Sequence, residues 1–441
     1  MSNWTTSKLS DVIEIIGGGT PKRSENKYWN GDIPWLSVAD FNNDFRYVND
    51  SIEHITELGL QKSSTKLLDK DHLIISARGT VGCLAQLSVP MAFNQSCYGL
   101  NGKEGIIDNG FLYYFLKNNI SELKQKTHGA VFDTITRDTF EHIQISYPDL
   151  GTQKGIAKNL GSFDDKIQLN TQINQTLEQI AQALFKSWFV DFDPVRAKVQ
   201  ALSDGLSLEQ AELAAMQAIS GKTPEELTTL SQTQPDRYAE LAKTAKAFPC
   251  EMVEVDGVEV PKGWELKPLG DLISFVKGKK PKSVSPKQEE NMLPHILTSS
   301  LEGKYNEFCE SNKLVTIEYH NTIMLMDGSN SGRIAIGHNG VIGSTLAKIN
   351  LDNNKLWAVI YQFLKHKEAD IQANTTGTTI PHTDKNRVNN YLIVIPDNFL
   401  LEKFTELFDN SLLKIISNRN QIISLETIRD LLLPRLLNGE I

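Results

Sequence analysis

The amino-acid sequence predicts an α/β (α+β) fold: two pseudo-repeated mixed α/β domains separated by two long helices that form an antiparallel coiled coil. Three observations lead there. The phrase YYFLKN at residues 113–118 returns as YQFLKH at 361–366. Short apolar runs bounded by glycine accompany both phrases. After each copy, apolar residues fall alternately three and four apart, which is the spacing of a helix–helix seam.

The repeat is collinear. At one offset, without a gap from 113 to 149, Thr127-His128-Gly129 lies over Thr375-Thr376-Gly377, and Tyr147-Pro148-Asp149 over Ile395-Pro396-Asp397. Upstream, Leu73-Ile74-Ile75 matches Ile323-Met324-Leu325, and Gly82 meets Gly332. Trp4 with Leu9-Ser10-Asp11 matches Trp264 with Leu269-Gly270-Asp271. The offset changes only between blocks, where surface loops on a shared scaffold accept insertions. The copies span 1–150 and 261–397.

Within each copy the signals alternate. HLIISA and TIMLMD read as buried strands. GFLYYFLKNNI and KLWAVIYQFLKHKEADI carry apolar residues at helical spacing. HIQISYPD and NYLIVIPD read as closing strands stopped by proline.

A first long helix is predicted in 151–195, with the series Ile156, Leu160, Phe163, Ile167, Asn170, Asn174, Leu177, Ala181, Leu184, Trp188. A second is predicted in 398–441, with Leu401, Phe404, Phe408, Ser411, Ile415, Asn418, Ile422, Leu425, then Leu432 and Leu436. Phe163, Ile167, Asn170, Asn174, Leu177 and Leu184 are expected to face Phe408, Ile415, Asn418, Ile422 and Leu425. Polar residues within such a seam fix register at some cost in stability. The other possibility is that each helix packs only on its own domain. A helix of nearly forty residues spans roughly 55–60 Å. An antiparallel pair would give one chain a pseudo-two-fold, suited to a pseudo-symmetric target. Residues 196–260 occur once, as an acidic helical linker with helix starts at SLEQ and TPEE.

The 441 residues are 40% apolar and 22% charged, with net charge −9, which argues against indiscriminate coating of nucleic acid. The acidity is concentrated: 199–260 hold eleven acids and four bases, whereas 261–397 hold sixteen bases and fourteen acids. Cys83, Cys97, Cys250 and Cys309 form no C-x-x-C pair and read as reduced thiols. No apolar run is long enough to span a bilayer, and the N-terminus lacks signal-peptide features. A cytoplasmic protein without membrane contact is expected.

Chemistry-bearing motifs are missing. GGGTPKRS has glycines but not the spacing of a phosphate loop. There is no H-E-x-x-H, no Cys/His cluster for a metal and no G-x-S-x-G elbow. The copies share no pair of His, Asp or Glu to serve as acid and base. The sequence predicts a non-catalytic chain built to bind. Candidate contacts in the first copy are Lys22 and Arg23 after GGGTP, Arg78 and Thr80 after HLIIS, and Lys126, Thr127, His128 and Arg137 in KTHGAVFDTITR. In the second they are Lys279, Lys280 and Lys282 in KGKKPK, and Asn330 and Arg333 in GSNSGR. Thr375, Thr376, Thr378, His382, Lys385 and Arg387 follow in TTGTTIPHTDKNR. Lys and Arg neutralise phosphates, while Arg, Asn, Ser and Thr read base edges. A duplicated protein- or carbohydrate-binding module on a coiled-coil stalk is the alternative.

The layout domain, long helix, domain, long helix resembles the specificity subunit of type I restriction–modification enzymes. The resemblance is carried by GGGTP after W-x-x-x-x-L-x-D, by YPDLGTQKGIAKNLGSFDDKIQLNTQINQTLEQIAQALFKSWFVDFDPV, and by VPKGWELKPLGDL, TTGTTIPHTDK and LLLPRLLNGEI. It covers essentially the whole chain. It implies that each copy is a target recognition domain reading one half of a bipartite, asymmetric site on double-stranded DNA. The helices would set the unread gap and dock two methyltransferase (modification) subunits, which two motor–nuclease (restriction) subunits could join. It implies no cofactor in this chain, with S-adenosylmethionine and ATP/Mg on the partner subunits. The recognition domains would occupy successive major grooves, and the partner would flip and methylate an adenine. KTHGAVFDTITR and QANTTGTTIPHTDK differ, so two unlike half-sites are implied. The first domain carries fourteen bases against eighteen acids, so its contact face must be a local basic patch.

Overall fold

The computed structural model describes residues 4–125, 134–377 and 379–441. The chain divides into two compact units, 1–170 with 421–441 and 171–420, so each unit holds part of both long helices.

In the first unit, strand Cys97–Gly102 is flanked by Ile13–Gly17 and Leu73–Ser76, both antiparallel. Leu73–Ser76 continues to Leu84–Leu87, whose far edge carries Tyr47–Val48 in parallel. A second sheet runs His54–Ile55, Trp29–Leu36, Met91–Phe93, Leu67–Leu68, with a parallel pair at its centre. Helix Asn109–Gln125 buries Phe111, Leu112, Tyr113, Tyr114 and Leu116 in one core with Leu73, Ile75 and Leu100. Thr5–Lys8 and Gln144–Tyr147 close the domain as an antiparallel pair.

The second unit repeats this plan with strands Ile273–Lys277, Leu346–Leu351, Ile323–Leu325 and Ile334–Ala335. Its second sheet runs Phe308–Glu310, Met292–Ile296, Gly340–Ile342, Thr316–Ile317, again with a parallel centre. Helix Trp357–Ala373 has the same length as its counterpart, 17 residues. Register repeats too, with the strand match moved by one residue: the Gly82 amide donates to the Ser76 carbonyl and the Gly332 amide to that of Leu325, so Ile74-Ile75-Ser76, not Leu73-Ile74-Ile75, stands where Ile323-Met324-Leu325 stands. Thr5↔Tyr147 corresponds to Glu265↔Ile395, Ile13↔Gly102 to Ile273↔Leu351, and Leu36↔Phe93 to Ile296↔Ile342. A one-residue slip would turn every side chain to the other face, so matching register marks one scaffold used twice.

Both long helices, Leu150–Phe189 and Asn398–Leu437, have 40 residues. The repeated P-D before each has a local cause: proline ends the strand and the aspartate caps the helix. Asp149 Oδ1 accepts from the Thr152 amide at 3.1 Å, and Asp397 Oδ1 from the Phe399 and Leu400 amides at 2.8 and 3.1 Å. Asp397→Ala is expected to lower stability by about 1 kcal/mol in urea unfolding, the usual cost of losing an N-cap.

The helices pair antiparallel within each unit. In the first, Asn170 Nδ2 donates to Gln421 Oε1 at 2.7 Å and Arg429 Nη1 to Asp164 Oδ1 at 2.5 Å. In the second, Asn418 Nδ2 donates to Asn174 Oδ1 at 2.8 Å and Asn174 Nδ2 to the Ile415 carbonyl at 3.4 Å. Ile167, Asn170, Phe408, Ile415 and Asn418 are buried. Phe163, Asn174, Leu177, Leu184, Ile422 and Leu425 are half-buried. The stripes divide their work. Ile156 and Leu160 join Leu433 and Leu437 in the first domain's core, while Phe185, Trp188 and Phe189 meet Leu401, Phe404 and Phe408 in the second's. The apolar ends thus pack on the domains, and asparagines contact between the helices.

The first unit also holds a buried ionic knot. Asp164, 6% exposed, accepts from Arg429 and, at 2.6 Å, from the Tyr114 hydroxyl, with Lys117 Nζ at 3.7 Å. Arg46 donates to Gln86 Oε1 at 3.0 Å and lies over the Tyr47, Tyr113 and Tyr114 rings. Burial and the adjacent Asp164 push the Tyr114 phenol up, which keeps its proton available to the carboxylate. A Cβ at Gly161 would come within 2.3 Å of Arg46 Nη1, so a larger residue there would push the guanidinium aside. By the repeat, Leu412 stands in the second unit where Asp164 stands in the first, and Gln362 where Tyr114 stands.

Residues 196–260, expected as a linker, fold as a compact element. Helices Leu208–Ser220, Pro224–Thr233 and Pro235–Ala247 enclose Ala215, Met216, Leu227, Leu230 and Ala245. Both expected helix starts carry capping boxes, at Ser207 and Thr223. A hairpin, Met252–Val255 with Val258–Pro261, leads to the second domain. No helix among the described residues is long and apolar enough to cross a membrane.

Candidate nucleic-acid interface

In the second unit, three loops converge on Asp327, just past strand Ile323–Leu325. Lys277 Nζ donates to its Oδ2 and His382 Nδ1 lies on its Oδ1, both at 2.8 Å. The Gly328 amide donates to the Pro381 carbonyl at 3.0 Å, and the Thr383 amide to that of Met326 at 2.9 Å. Thr383 Oγ1 adds a bond to the Leu325 carbonyl at 2.7 Å. Lys277, which opens KGKKPK, Gly328, which opens GSNSGR, and Pro381-His382-Thr383 are therefore held together around Asp327. Burial alone would raise the Asp327 pKa; hydrogen bonds from Lys277 and His382 outweigh it and hold the carboxyl below its ordinary range.

The candidate residues sort into two groups there. Lys279, Lys280 and Lys282 are exposed and, among the described residues, carry no ion pair. Asn330, Thr376 and His382 are exposed, and Thr375 is half-buried. Lys385 is exposed at the start of helix Lys385–Asn389, its ammonium 5.6 Å from the Phe275 ring centre. Arg333 and Arg387 are instead committed to the fold. Arg333 pairs with Glu302. Arg387 binds Asp370 through Nε and Nη2 at 2.9–3.1 Å, and the Tyr391 hydroxyl also donates to that carboxylate. Thr378 lies outside the described residues. Sequence reasoning missed Lys277 and Asp327; the one signal was an aspartate closing a buried strand before glycine.

In the first unit, Arg23 is likewise occupied. Its guanidinium lies 4.1 Å from the Trp29 ring centre and 5.0 Å from that of Trp35, and pairs with Glu53. Lys22 is exposed beside Glu25 at 3.6 Å. Trp35 Nε1 donates to the Gly19 carbonyl at 3.0 Å and ties down the GGGTP loop. Arg78 and Thr80 stand exposed in the turn after Leu73–Ser76, with Ser76 Oγ donating to the Thr80 carbonyl at 2.6 Å. The Ile135 amide donates to the Ala77 carbonyl at 3.0 Å, so exposed Arg137, which opens helix Arg137–Glu141, belongs to a segment fastened beside that turn. Lys126, Thr127 and His128 lie outside the described residues.

Comparison with known proteins agrees with this layout. The family described as "Type I restriction modification DNA specificity domain" matches residues 1–179 and again 261–422. The type I restriction enzyme HindI specificity subunit of Haemophilus influenzae is 42% identical over 361 residues, 75% of this chain and 77% of that protein. The MjaIX specificity subunit of Methanocaldococcus jannaschii is 27% identical over 464 residues, 100% of this chain and 94% of that one. The crystal structure of a type I restriction–modification S subunit from M. genitalium shares the fold, with a TM-score of 0.56 at 16% identity over 99% of this chain and 96% of that one. With both copies of the repeat matched, the chain belongs to the type I restriction–modification DNA specificity family.

Proposed function

We propose that this chain selects the DNA site for a type I restriction–modification complex, each domain reading one half of a bipartite, asymmetric sequence. The observation that carries the reading is one scaffold used twice, with the closing and flanking strand pairs repeated in register and unlike loops at corresponding positions. Shared register fixes how each domain meets a duplex, and differing loop chemistry makes the two readings differ. The long helices set the unread gap. They also present apolar side chains to solvent: Leu169, Ile428 and Leu431 in the first unit, and Ile180, Leu407 and Leu413 in the second. Apolar surface of that kind suits partner subunits, here two modification subunits and through them two restriction subunits. Methyl transfer and DNA cleavage belong to those partners, with S-adenosylmethionine and ATP/Mg; this chain contributes no catalytic group and works in the cytoplasm.

The test is co-expression with the cognate modification subunit, followed by mapping of methylated adenines across a host genome. The expected result is a two-part motif with a fixed gap. Exchanging residues 261–397 for those of a relative should change one part only. Removing residues 170–174 should change the gap or abolish methylation. A single uninterrupted motif, or a gap indifferent to that deletion, would sink the reading.

A further inference from the structure

We propose that His382, aimed by Asp327, reads a base edge in the half-site of the second domain, accepting a hydrogen bond from the exocyclic amino group of an adenine or cytosine. This rests on the reading of the chain as a DNA-selecting subunit, and adds which residue reads and what kind of base. Three observations carry it.

The backbone at His382 is fixed. Thr376 and His382 exchange two backbone hydrogen bonds, at 2.8 and 2.7 Å. Between them the chain doubles back through Gly377 at φ +89°, where a Cβ would meet the Ile380 carbonyl at 2.5 Å. Beyond it, Thr383 is clipped to strand Ile323–Leu325, and Asp384 caps the next helix through the Asn386 and Arg387 amides at 2.9 and 3.1 Å. The Arg387–Asp370–Tyr391 cluster anchors that helix.

The ring is oriented yet open. Half of the side chain is exposed, and Nε2 has no partner among the described residues. A reading residue needs this combination of fixed backbone and free donor or acceptor.

The tautomer follows from the partner. Asp327 also accepts from the Lys277 ammonium, so it is ionised and can only accept. Nδ1 of His382 therefore carries a proton, and in its neutral form the ring turns a lone pair outward at Nε2. In the major groove an outward acceptor pairs with the amino group of adenine or cytosine and meets only acceptors on thymine and guanine. Asp327 is a positioning residue; Lys279, Lys280 and Lys282 supply sequence-independent attraction.

The experiment is selection from a library randomised across the second half-site, using the complex of this chain with its modification subunits, followed by titration of the winning duplexes. Wild type should require adenine or cytosine at one position. His382→Ala should accept all four bases there, losing roughly 5- to 150-fold affinity for the wild-type site while non-specific binding and salt dependence hold. Asp327→Asn should relax the same position, and His382→Gln, which keeps an acceptor, should retain more of the preference than His382→Ala. The inference fails if His382→Ala selects the wild-type bases or if it weakens all sequences equally. If wild type shows no sequence preference anywhere, the proposed function fails instead.

Discussion

Asp164→Leu is expected to lower the stability of the full chain to urea unfolding by about 3–5 kcal/mol, the cost of leaving buried charge uncompensated. The substitution copies the second unit, where Leu412 occupies the matching position, yet it takes from Arg429 its buried carboxylate, leaving only the exposed Asp430, and removes the carboxylate beside Lys117. Arg429 is 9% exposed and the Lys117 side chain 24%, so water replaces the lost carboxylate only poorly. Burial alone already depresses the Lys117 ammonium. Replacing both partners, as Asp164→Leu with Arg429→Met, should recover most of the loss, because an apolar pair of similar volume often matches a buried ion pair. A single mutant within about 0.5 kcal/mol of wild type, the ordinary range of surface changes, would show that the knot is held by something else.

Changing Lys279, Lys280 and Lys282 together to alanine is expected to make DNA binding markedly less steep in salt. Each phosphate contact contributes about 0.9 to the slope of log K against log salt, so three contacts should remove roughly 2.7. The loss should fall equally on specific and unrelated duplexes, because phosphates carry no sequence information. An unchanged slope in fluorescence-anisotropy titrations at several salt concentrations would show that these lysines do not meet the backbone. The contrast with His382, where preference moves and slope does not, separates the two roles on one surface.

What the sequence made legible was whatever repeats or caps locally. Phe111–Leu116 and Ala358–Leu364 are buried at every position, so their recurrence rather than a periodic face made them legible, and P-D before each long helix marks a boundary through side-chain bonds to the first turn. Strands of three residues, such as Met91–Phe93 and Phe308–Glu310, are too short to show a period. Their pairing is also non-local: Leu36 meets Phe93 across the chain. At the candidate site the loops were legible by composition, but not who holds whom. Arg387 has the look of a ligand-facing cation until Asp370, a helix turn upstream of its loop, takes it. Asp327 meets His382 only after the sheet forms. Asp164 and Arg429 sit on different helices, and no window of sequence contains both.

That last separation bears on inheritance. A recombination that imports a foreign second domain between residues 261 and 397 leaves Asp164 and Arg429 in the recipient, and the knot survives the exchange. One that runs on through the carboxyl-terminal end replaces Arg429 with whatever the donor encodes. Viable hybrids should therefore cluster at crossovers upstream of Arg429, or come from donors that match it.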